Sequence, residues 1–206
     1  MERKLKVLDI VTNGVTIGMK NFLSILGAIV LYVLTIWIPY LNVGTTIAMA
    51  SLPIELSKGN VMNPTAIFDA KYRKYMGEYF ILQGLILMAL LPAALFVIIP
   101  ALVLGLSWSL AIFLLIDKEL NPTQALAASN NYTYGNKWRI FFSFLILIVA
   151  YLIVASILGL ISEFLVVIAV ILLLPIMLGV KAYIYKVLVL DEGEIEEEAV
   201  PEAPAE

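Results

Sequence analysis

The stretch that decides the fold is residues 138–188, which read WRIFFSFLILIVAYLIVASILGL, then ISE, then FLVVIAVILLLPIMLGVKAYIYKVL. Two apolar runs, Trp138–Leu160 and Phe164–Leu188, stand on either side of the short link Ile161-Ser162-Glu163. A helix of about 20 residues crosses the roughly 30 Å hydrocarbon core of a bilayer. Each run is long enough to cross, and the link is short enough to force an antiparallel pair. This stretch predicts a transmembrane helical hairpin.

The same pattern of a long and then a shorter apolar run occurs twice upstream. Met19–Ile38 is followed by Leu41–Ser57, and Tyr79–Ile98 is followed by Pro100–Ile116. Proline opens the second run in one pair and lies in the link of the other, where a helix interior would not tolerate it well. We therefore expect six transmembrane helices arranged as three tight hairpins.

The composition excludes most alternatives to a membrane protein. Hydrophobic residues make up 62% of the chain and charged residues 14%, and the mean hydropathy is +1.00. A water-soluble domain of 206 residues has too little interior to hide that much apolar surface. The chain contains no histidine and no cysteine, which excludes His-based catalytic triads, disulfides and thiolate or imidazole metal sites. We expect no cofactor and no metal.

The charge is divided unevenly along the chain. The net charge is -3. The charged residues of 191–206 are all acidic, so the rest of the chain has a net positive charge. This tail is rich in Glu, Ala and Pro and has too few apolar residues to fold, so we expect it to be disordered. It is either simply solvated or a docking peptide for a protein partner. Nucleic-acid binding is not expected, because no basic domain is present.

The positions of the basic residues predict the orientation. They gather beside the long connections and are missing from the three tight links. By the positive-inside rule, both termini and both long loops are cytoplasmic and the hairpin links face outward. The bases concerned are Arg3, Lys4, Lys6, Lys20, Lys58, Lys71, Arg73, Lys74, Lys118, Lys137 and Arg139.

Polar segments before the hairpins resemble one another and indicate an internal repeat. We predict a single membrane domain, residues 1–190, with repeats of about 1–58, 59–118 and 119–190, each an interfacial amphipathic helix followed by a hairpin. Asn63-Pro64 and Asn121-Pro122 are typical helix starts, with an Asn cap and proline at the first helical position. The first segment recurs in the third: Thr12, Asn13, Thr16, Gly18 and Lys20 fall on Ser129, Asn130, Thr133, Gly135 and Lys137.

The first of these segments is amphipathic in the manner of a helix lying at the membrane surface. Lys6, Asp9 and Asn13 share one helical face, and Leu5, Leu8, Val11 and Val15 occupy the other. We expect such helices to lie in the headgroup plane, where their lysines reach anionic lipid headgroups.

The third polar segment, Asn121–Ser129 followed by Gly135–Phe141, also resembles a family. It is similar to a group of prokaryotic membrane proteins, the YciC-like families and the membrane domain found beside glycerophosphodiester phosphodiesterases, which share a polar Ala-Leu and Ser segment and then Gly-Asn with an aromatic residue. The resemblance implies a multi-span protein of the prokaryotic inner membrane. It carries over no catalytic residues.

Few polar residues are candidates for a functional site. Glu78 precedes an apolar run, and Gln83 lies one turn further on, where the two side chains can share a polar contact. Glu55 and Lys58 are spaced for an i,i+3 ion pair. A vestibule or lipid-facing surface is predicted from residues of the first and third polar segments: Asn13, Thr16, Lys20, Asn130, Thr133 and Lys137.

Two functions follow from these features. In the first, the protein is a non-enzymatic scaffold or interaction protein of the membrane, with lipid-facing amphipathic helices at the cytoplasmic face. In the second, it is a small transporter or channel for a neutral or lipid-like substrate. The scarcity of charged residues within the spans favours the first. Homo-oligomers are compatible with both.

Overall fold

The computed structural model describes residues 4–60, 63–96 and 98–191. All regular structure in these ranges is helical. A short 3₁₀ helix, Pro64–Phe68, precedes α4, and a π-helical turn, Lys186–Leu190, follows α10. The α-helices are α1 (Val7–Lys20), α2 (Phe22–Thr35), α3 (Leu41–Ser57), α4 (Lys71–Lys74), α5 (Met76–Phe96), α6 (Ile98–Ser107), α7 (Ala111–Asp117), α8 (Pro122–Thr133), α9 (Lys137–Gly159) and α10 (Glu163–Tyr185).

Four helical stretches are long and apolar enough to cross a membrane. They are Met76–Phe96, Ile98–Asp117, Lys137–Gly159 and Glu163–Leu190, which overlap the last four predicted spans. A fifth candidate is α1 together with α2, which are bent by 71° at Asn21. The chain is therefore an all-helical protein with four or five candidate spans among the described residues.

The predicted span Met19–Ile38 is interrupted near its start. Helix α1 ends at Lys20 and α2 begins at Phe22. The side-chain nitrogen of Asn21 donates to the Ile17 carbonyl oxygen at 2.9 Å. Asparagine side chains compete in this way for backbone partners and often end a helix. The average hydropathy of the run Met19–Ile38 does not predict this break.

Helix α3 coincides with the predicted run Leu41–Ser57, and it lies inside the bundle. Ten of its 17 residues are buried, Ile47 and Ala48 completely. Its buried hydroxyl groups are satisfied within the helix, as where Ser51 donates to the Ala48 carbonyl at 3.0 Å. The run Leu41–Ser57 has a lower hydropathy than the other runs because it forms a helix surrounded by other helices, where polar side chains can be buried.

Helix α1 packs closely on α10 through glycine. A Cβ atom placed on Gly179 would lie 2.2 Å from the Gly14 carbonyl oxygen, and one on Gly18 would lie 2.4 Å from the Pro175 carbonyl oxygen. Such close approach of two backbones is what small residues permit. The buried side of α1 is thus Ile10 with these glycines, whereas Leu8, expected on the apolar face, is 73% exposed.

Both predicted Asn-Pro helix starts are confirmed. Asn63 accepts a hydrogen bond from the Thr65 amide at 3.1 Å, at the beginning of the 3₁₀ helix. The Asn121 side-chain oxygen accepts a hydrogen bond from the Gln124 backbone amide at 2.9 Å, and the Gln124 side-chain oxygen accepts one from the Asn121 backbone amide at 3.3 Å. This reciprocal pair is a capping box, which fixes the start of α8.

Candidate functional site

Charged side chains gather at the end of the bundle opposite the hairpin links. We call this end the base and the links 36–40 and 160–162, with the residues beside them, the tips. Large apolar side chains are exposed toward the tips, including Leu160 at 89%. Within the described residues, two charged side chains lie near a tip: Glu163 follows the 160–162 link, and Arg73 packs against Gly44, one turn into α3 from Tyr40. The base is therefore the polar end of the molecule.

The centre of the base is a junction of three side chains, Lys58, Asp117 and Tyr185. The Lys58 ammonium donates to one carboxylate oxygen of Asp117. The Tyr185 hydroxyl donates to the other at 2.6 Å. The Asp117 side chain is only 9% exposed, and Tyr185 is fully buried with its ring 5.4 Å from that of Phe113, edge to face. Lys58 therefore pairs with Asp117 rather than with Glu55.

The base junction joins the three hairpins. Lys58 directly follows α3, Asp117 ends α7, and Tyr185 ends α10. Each of these helices is the second arm of its hairpin. A single buried carboxylate thus holds the ends of all three arms together, and a buried carboxylate requires such partners to stay ionised.

A second group of polar side chains surrounds Glu55. The Lys71 ammonium lies 3.8 Å from a Glu55 carboxylate oxygen, and the Asn60 amide donates to the other oxygen at 3.1 Å. The Lys71 ammonium also lies 5.0 Å from the ring centroid of Tyr72. Burial raises the pKa of the Tyr72 phenol above its usual value, against the opposing charge of Lys71.

A third group surrounds Glu119. Its carboxylate accepts from the Tyr75 hydroxyl at 2.8 Å and from the Lys74 ammonium at 3.2 Å. These two donors lower the pKa of Glu119. Burial, and then the hydrogen bond and charge of Glu119, raise the pKa of Tyr75. The Lys74 ammonium also lies 5.4 Å above the Tyr75 ring.

The three groups enclose a cavity of about 260 Å³, which we call the base cavity. One wall comes from α3, a second from the segment that contains α4, and a third from the end of α7. Both kinds of charge line it, together with hydroxyl groups. Its polar lining includes Ser51, Glu55, Lys71, Tyr72, Asp117 and Glu119.

A separate network of hydroxyl groups supplies hydrogen-bond partners to the backbone between α6 and α7. The Ser129 hydroxyl donates to the Ser107 carbonyl at 2.7 Å and accepts from the Leu110 amide at 3.2 Å. Thr133 also reaches the Ser107 carbonyl, at 3.3 Å. These contacts satisfy the last carbonyl of α6 and the amide just before α7, which the break deprives of helical partners. The role of Ser129 and Thr133 here is structural.

The predicted site residues of α8 and α9 are tied into the fold. Thr133 is buried in the network just described. Lys137 donates to the Asn130 side-chain oxygen at 2.8 Å across the turn between the two helices. Gly135 in that turn has φ +72°, a conformation that suits glycine. The Asn136 side chain then links this turn to the chain before α1, accepting from the Leu5 amide at 2.9 Å.

The predicted site residues of α1 and α5 lie elsewhere. Asn13, Thr16 and Lys20 are exposed on α1, and the first two donate to carbonyl groups of their own helix at 2.8 Å. Glu78 is exposed in the first turn of α5, and Gln83 is half-buried. No hydrogen bond between Glu78 and Gln83, or between the α1 set and the α8–α9 set, occurs in the described part of the chain. The base cavity uses none of them.

No metal centre is evident in the base. Across residues 4–60, 63–96 and 98–191, no group of three or more acidic side chains is arranged to hold a metal ion. The acids of the base cavity are instead paired with lysines and tyrosines. The arrangement is suited to binding through charge and hydrogen bonds.

The chain matches no protein-family model, and no curated protein or solved structure is significantly similar to it. The resemblance to the YciC-like group therefore stays a prediction. What the helices themselves define is a helical protein compatible with residence in a membrane.

Sequence reasoning missed the base cavity because its residues are far apart in the chain. Asp117-Lys118-Glu119 reads as an ordinary charged loop, and Lys58 reads as a topology signal. One signal was available: Lys58 and Asp117 each directly follow an apolar run of the sequence, Leu41–Ser57 and Pro100–Ile116.

Proposed function

We propose that the protein spans the membrane six times, as three hairpins with the same orientation and with both termini in the cytoplasm. The four long helices supply four spans, α2 and α3 supply the first hairpin, and α1 lies against α10 at the base. The charge distribution supports this orientation, because the basic side chains of Lys58, Lys74 and Lys118 lie at the end of the bundle opposite the tips. The resemblance adds the prokaryotic inner membrane as the location.

We infer that it acts as a non-enzymatic interaction or scaffold protein whose base binds anionic lipid headgroups. The observation that carries this is a set of exposed lysines at the base, among them Lys4, Lys6, Lys20 and Lys118. None of these four takes part in an ion pair within the described residues. Each exposed lysine near an anionic leaflet contributes about 1 kcal/mol to association with it.

The hydroxyl groups support a binding role over catalysis. Ser107, Ser129 and Ser143 are buried, and each donates to a backbone carbonyl group at 2.7–2.8 Å. A nucleophilic serine instead needs a neighbouring base within hydrogen-bond reach. Histidine is missing from the whole sequence.

The packing beneath the base cavity supports interaction rather than transport. A transporter requires a polar path from the base toward the tips. On α3, Ile47 and Ala48 lie one turn from Ser51 in the direction of the tip and are fully buried in an apolar core, and the buried Thr45 beyond them donates to carbonyl groups of its own helix. The partners proposed from the sequence also include a protein that binds the acidic tail, which lies outside the described residues beyond Asp191.

Native mass spectrometry from nanodiscs tests lipid binding at the base. The wild-type protein is expected to retain phosphatidylglycerol over phosphatidylcholine, and the double variant Lys20→Gln, Lys118→Gln to lose about tenfold of that preference. Lys137→Gln is the matched control, because Lys137 is already bonded to Asn130. Equal retention of the two lipids by the wild-type protein contradicts the proposal.

A further inference from the structure

Three carboxylates line the base cavity, those of Glu55, Asp117 and Glu119. Each is paired with a lysine: Glu55 with Lys71, Asp117 with Lys58 and Glu119 with Lys74. Of these lysines, only Lys71 is part of the lining. A ligand that takes the place of Lys71 or Lys74 beside its carboxylate must itself be cationic.

Two lysines of the protein itself, Lys71 and Lys74, show how the tyrosines and acids at the base cavity hold an ammonium group. Lys71 is placed over the Tyr72 ring and beside Glu55, and Lys74 is placed over the Tyr75 ring and beside Glu119. In each case the ammonium lies near both an aromatic ring and a carboxylate, 3.8 Å from Glu55 for Lys71 and 3.2 Å from Glu119 for Lys74. This combination of ring and carboxylate recognises primary ammonium groups.

Lys71 and Lys74 are weakly held, so a ligand can displace them. Lys71 is 52% exposed and lies 3.8 Å from Glu55, beyond ordinary hydrogen-bond distance. Lys74 is 70% exposed. Exposed ion pairs of this kind contribute little to stability, so releasing a lysine to solvent costs little. Asp117 keeps its two partners and remains part of the fold.

The other walls favour an organic amine over a hydrated metal ion. Ile54 and Ile116 line the cavity together with the two tyrosine rings. These surfaces suit a short carbon chain attached to the ammonium group. A volume of about 260 Å³ accommodates such a group with a few water molecules, each of which occupies roughly 30 Å³.

We propose that the base cavity binds a primary alkylammonium group through Glu55, Glu119 and the rings of Tyr72 and Tyr75. Two sources present this chemistry at a membrane surface: the ethanolamine headgroup of a phospholipid and a free amine. The proposal rests on the membrane placement given above, because that placement brings the cavity to the headgroup level. It is independent of the anionic-lipid surface formed by Lys20 and Lys118.

The test uses the full chain in nanodiscs and has two arms. In the first, native mass spectrometry compares retention of phosphatidylethanolamine and phosphatidylcholine. In the second, ethanolamine is titrated calorimetrically into protein in discs of phosphatidylcholine and phosphatidylglycerol. The variant is Glu55→Gln with Glu119→Gln, and Glu163→Gln is the matched control, since Glu163 is an exposed acid beside a tip.

The wild-type protein is expected to retain phosphatidylethanolamine at least about fivefold over phosphatidylcholine, or to bind ethanolamine. The double variant loses this binding, and Glu163→Gln keeps it. Binding in the first arm alone assigns the lipid, and binding in the second assigns a free amine. If neither arm shows binding, or if the double variant binds as the wild type does, the proposal is wrong.

The proposal of an anionic-lipid surface and the proposal of an ammonium site can be contradicted independently of each other. Loss of phosphatidylethanolamine binding with retained preference for phosphatidylglycerol leaves the lysine surface intact and removes only the ammonium site. The lysine double variant is expected to show the reverse pattern. A third variant, Tyr75→Leu, removes one ring and leaves both carboxylates, and it is expected to weaken binding by about threefold. Retained preference for phosphatidylglycerol in each of these cavity variants shows that the fold is intact and that the change lies in the cavity.

Discussion

The Tyr185 hydroxyl donates to the Asp117 carboxylate at 2.6 Å, across 68 positions of the sequence. This bond joins the end of α10 to the end of α7. Lys58 binds the other oxygen of the same carboxylate and adds the end of α3. Three hairpins that otherwise meet through apolar side chains are thereby held in register by one polar junction.

Replacing Tyr185 with phenylalanine is expected to lower the free energy of unfolding by about 1–3 kcal/mol. The ring still packs on Phe113, but one oxygen of a buried carboxylate loses its donor. Equilibrium unfolding in mixed detergent micelles measures the change. Tyr134→Phe is the control, because Tyr134 is 68% exposed, and an equal loss in both variants would show that the junction is not stabilising.

Glycine substitutions are expected to act in opposite directions at two sites. Gly179→Ala places a methyl group 2.2 Å from the Gly14 carbonyl oxygen, so α1 must move away from α10, and we expect a loss of about 1–3 kcal/mol or more. Gly84→Ala lies within α5 with nothing within 4 Å and gains up to about 1 kcal/mol of helix propensity. Thermal unfolding of the two variants compares them directly. Equal melting temperatures would contradict the close packing of α1 on α10.

Ser129→Ala is expected to cost about 1–3 kcal/mol, because it removes the hydrogen-bond partner of the buried Leu110 amide and leaves the Ser107 carbonyl only the longer bond from Thr133. Hydrogen exchange of the Leu110 amide is a local measure, and it should accelerate. Ser156→Ala is the control, since that hydroxyl is exposed and bonds only to its own helix. Unchanged exchange at Leu110 would rule out the bridging role of Ser129.

Acidification is expected to release Lys74 and Tyr75 from Glu119. The pKa of Glu119 is lowered below its usual 4.5 in the folded protein, so its stabilising contribution is present above pH 4.5 and is lost as the pH falls through the lowered pKa. Thermal unfolding between pH 7 and pH 3 should show a difference between wild type and Glu119→Gln that shrinks at the acidic end. Glu163→Gln serves as the control. A difference that stays constant over this range would contradict the pairing.

Much of the helical layout follows from local sequence. The bounds of α3 match the apolar run Leu41–Ser57, and the Asn121-Pro122 start of α8 forms the expected cap. These features depend on residues within one or two turns of each other, and hydrophobic runs, caps and prolines report on that range. The links between α2 and α3 and between α9 and α10 follow for the same reason, whereas the predicted link at Ile99-Pro100 is wrong, because both residues lie within α6.

The buried contact of α1 lies beyond that range. Glycine has no side chain to contribute to an apolar face, so the pattern of α1 gave no sign that Gly14 and Gly18 pack on α10. The break at Asn21 is local, but the average hydropathy of the run Met19–Ile38 hides it.

The base cavity depends on tertiary structure throughout. Lys58, Asp117 and Tyr185 have no common local pattern, and only the packing of three hairpins brings them together. Apart from Glu78 and Gln83, the candidate residues predicted from the sequence are those that recur between the first and third polar segments, and one of them, Thr133, is a structural hydroxyl. Repetition identifies what each unit needs in order to fold, whereas the cavity forms where the units meet.

Single-cysteine labelling in intact cells tests the central claim, that all three hairpins have their base in the cytoplasm. The chain has no cysteine, so each introduced thiol is unique. Tyr40→Cys and Ile161→Cys, at exposed tips, should react with a membrane-impermeant maleimide, whereas Asn60→Cys and Glu119→Cys, at the exposed base, should react only after lysis. Labelling of Asn60→Cys or Glu119→Cys from outside, or protection of either tip, would contradict it.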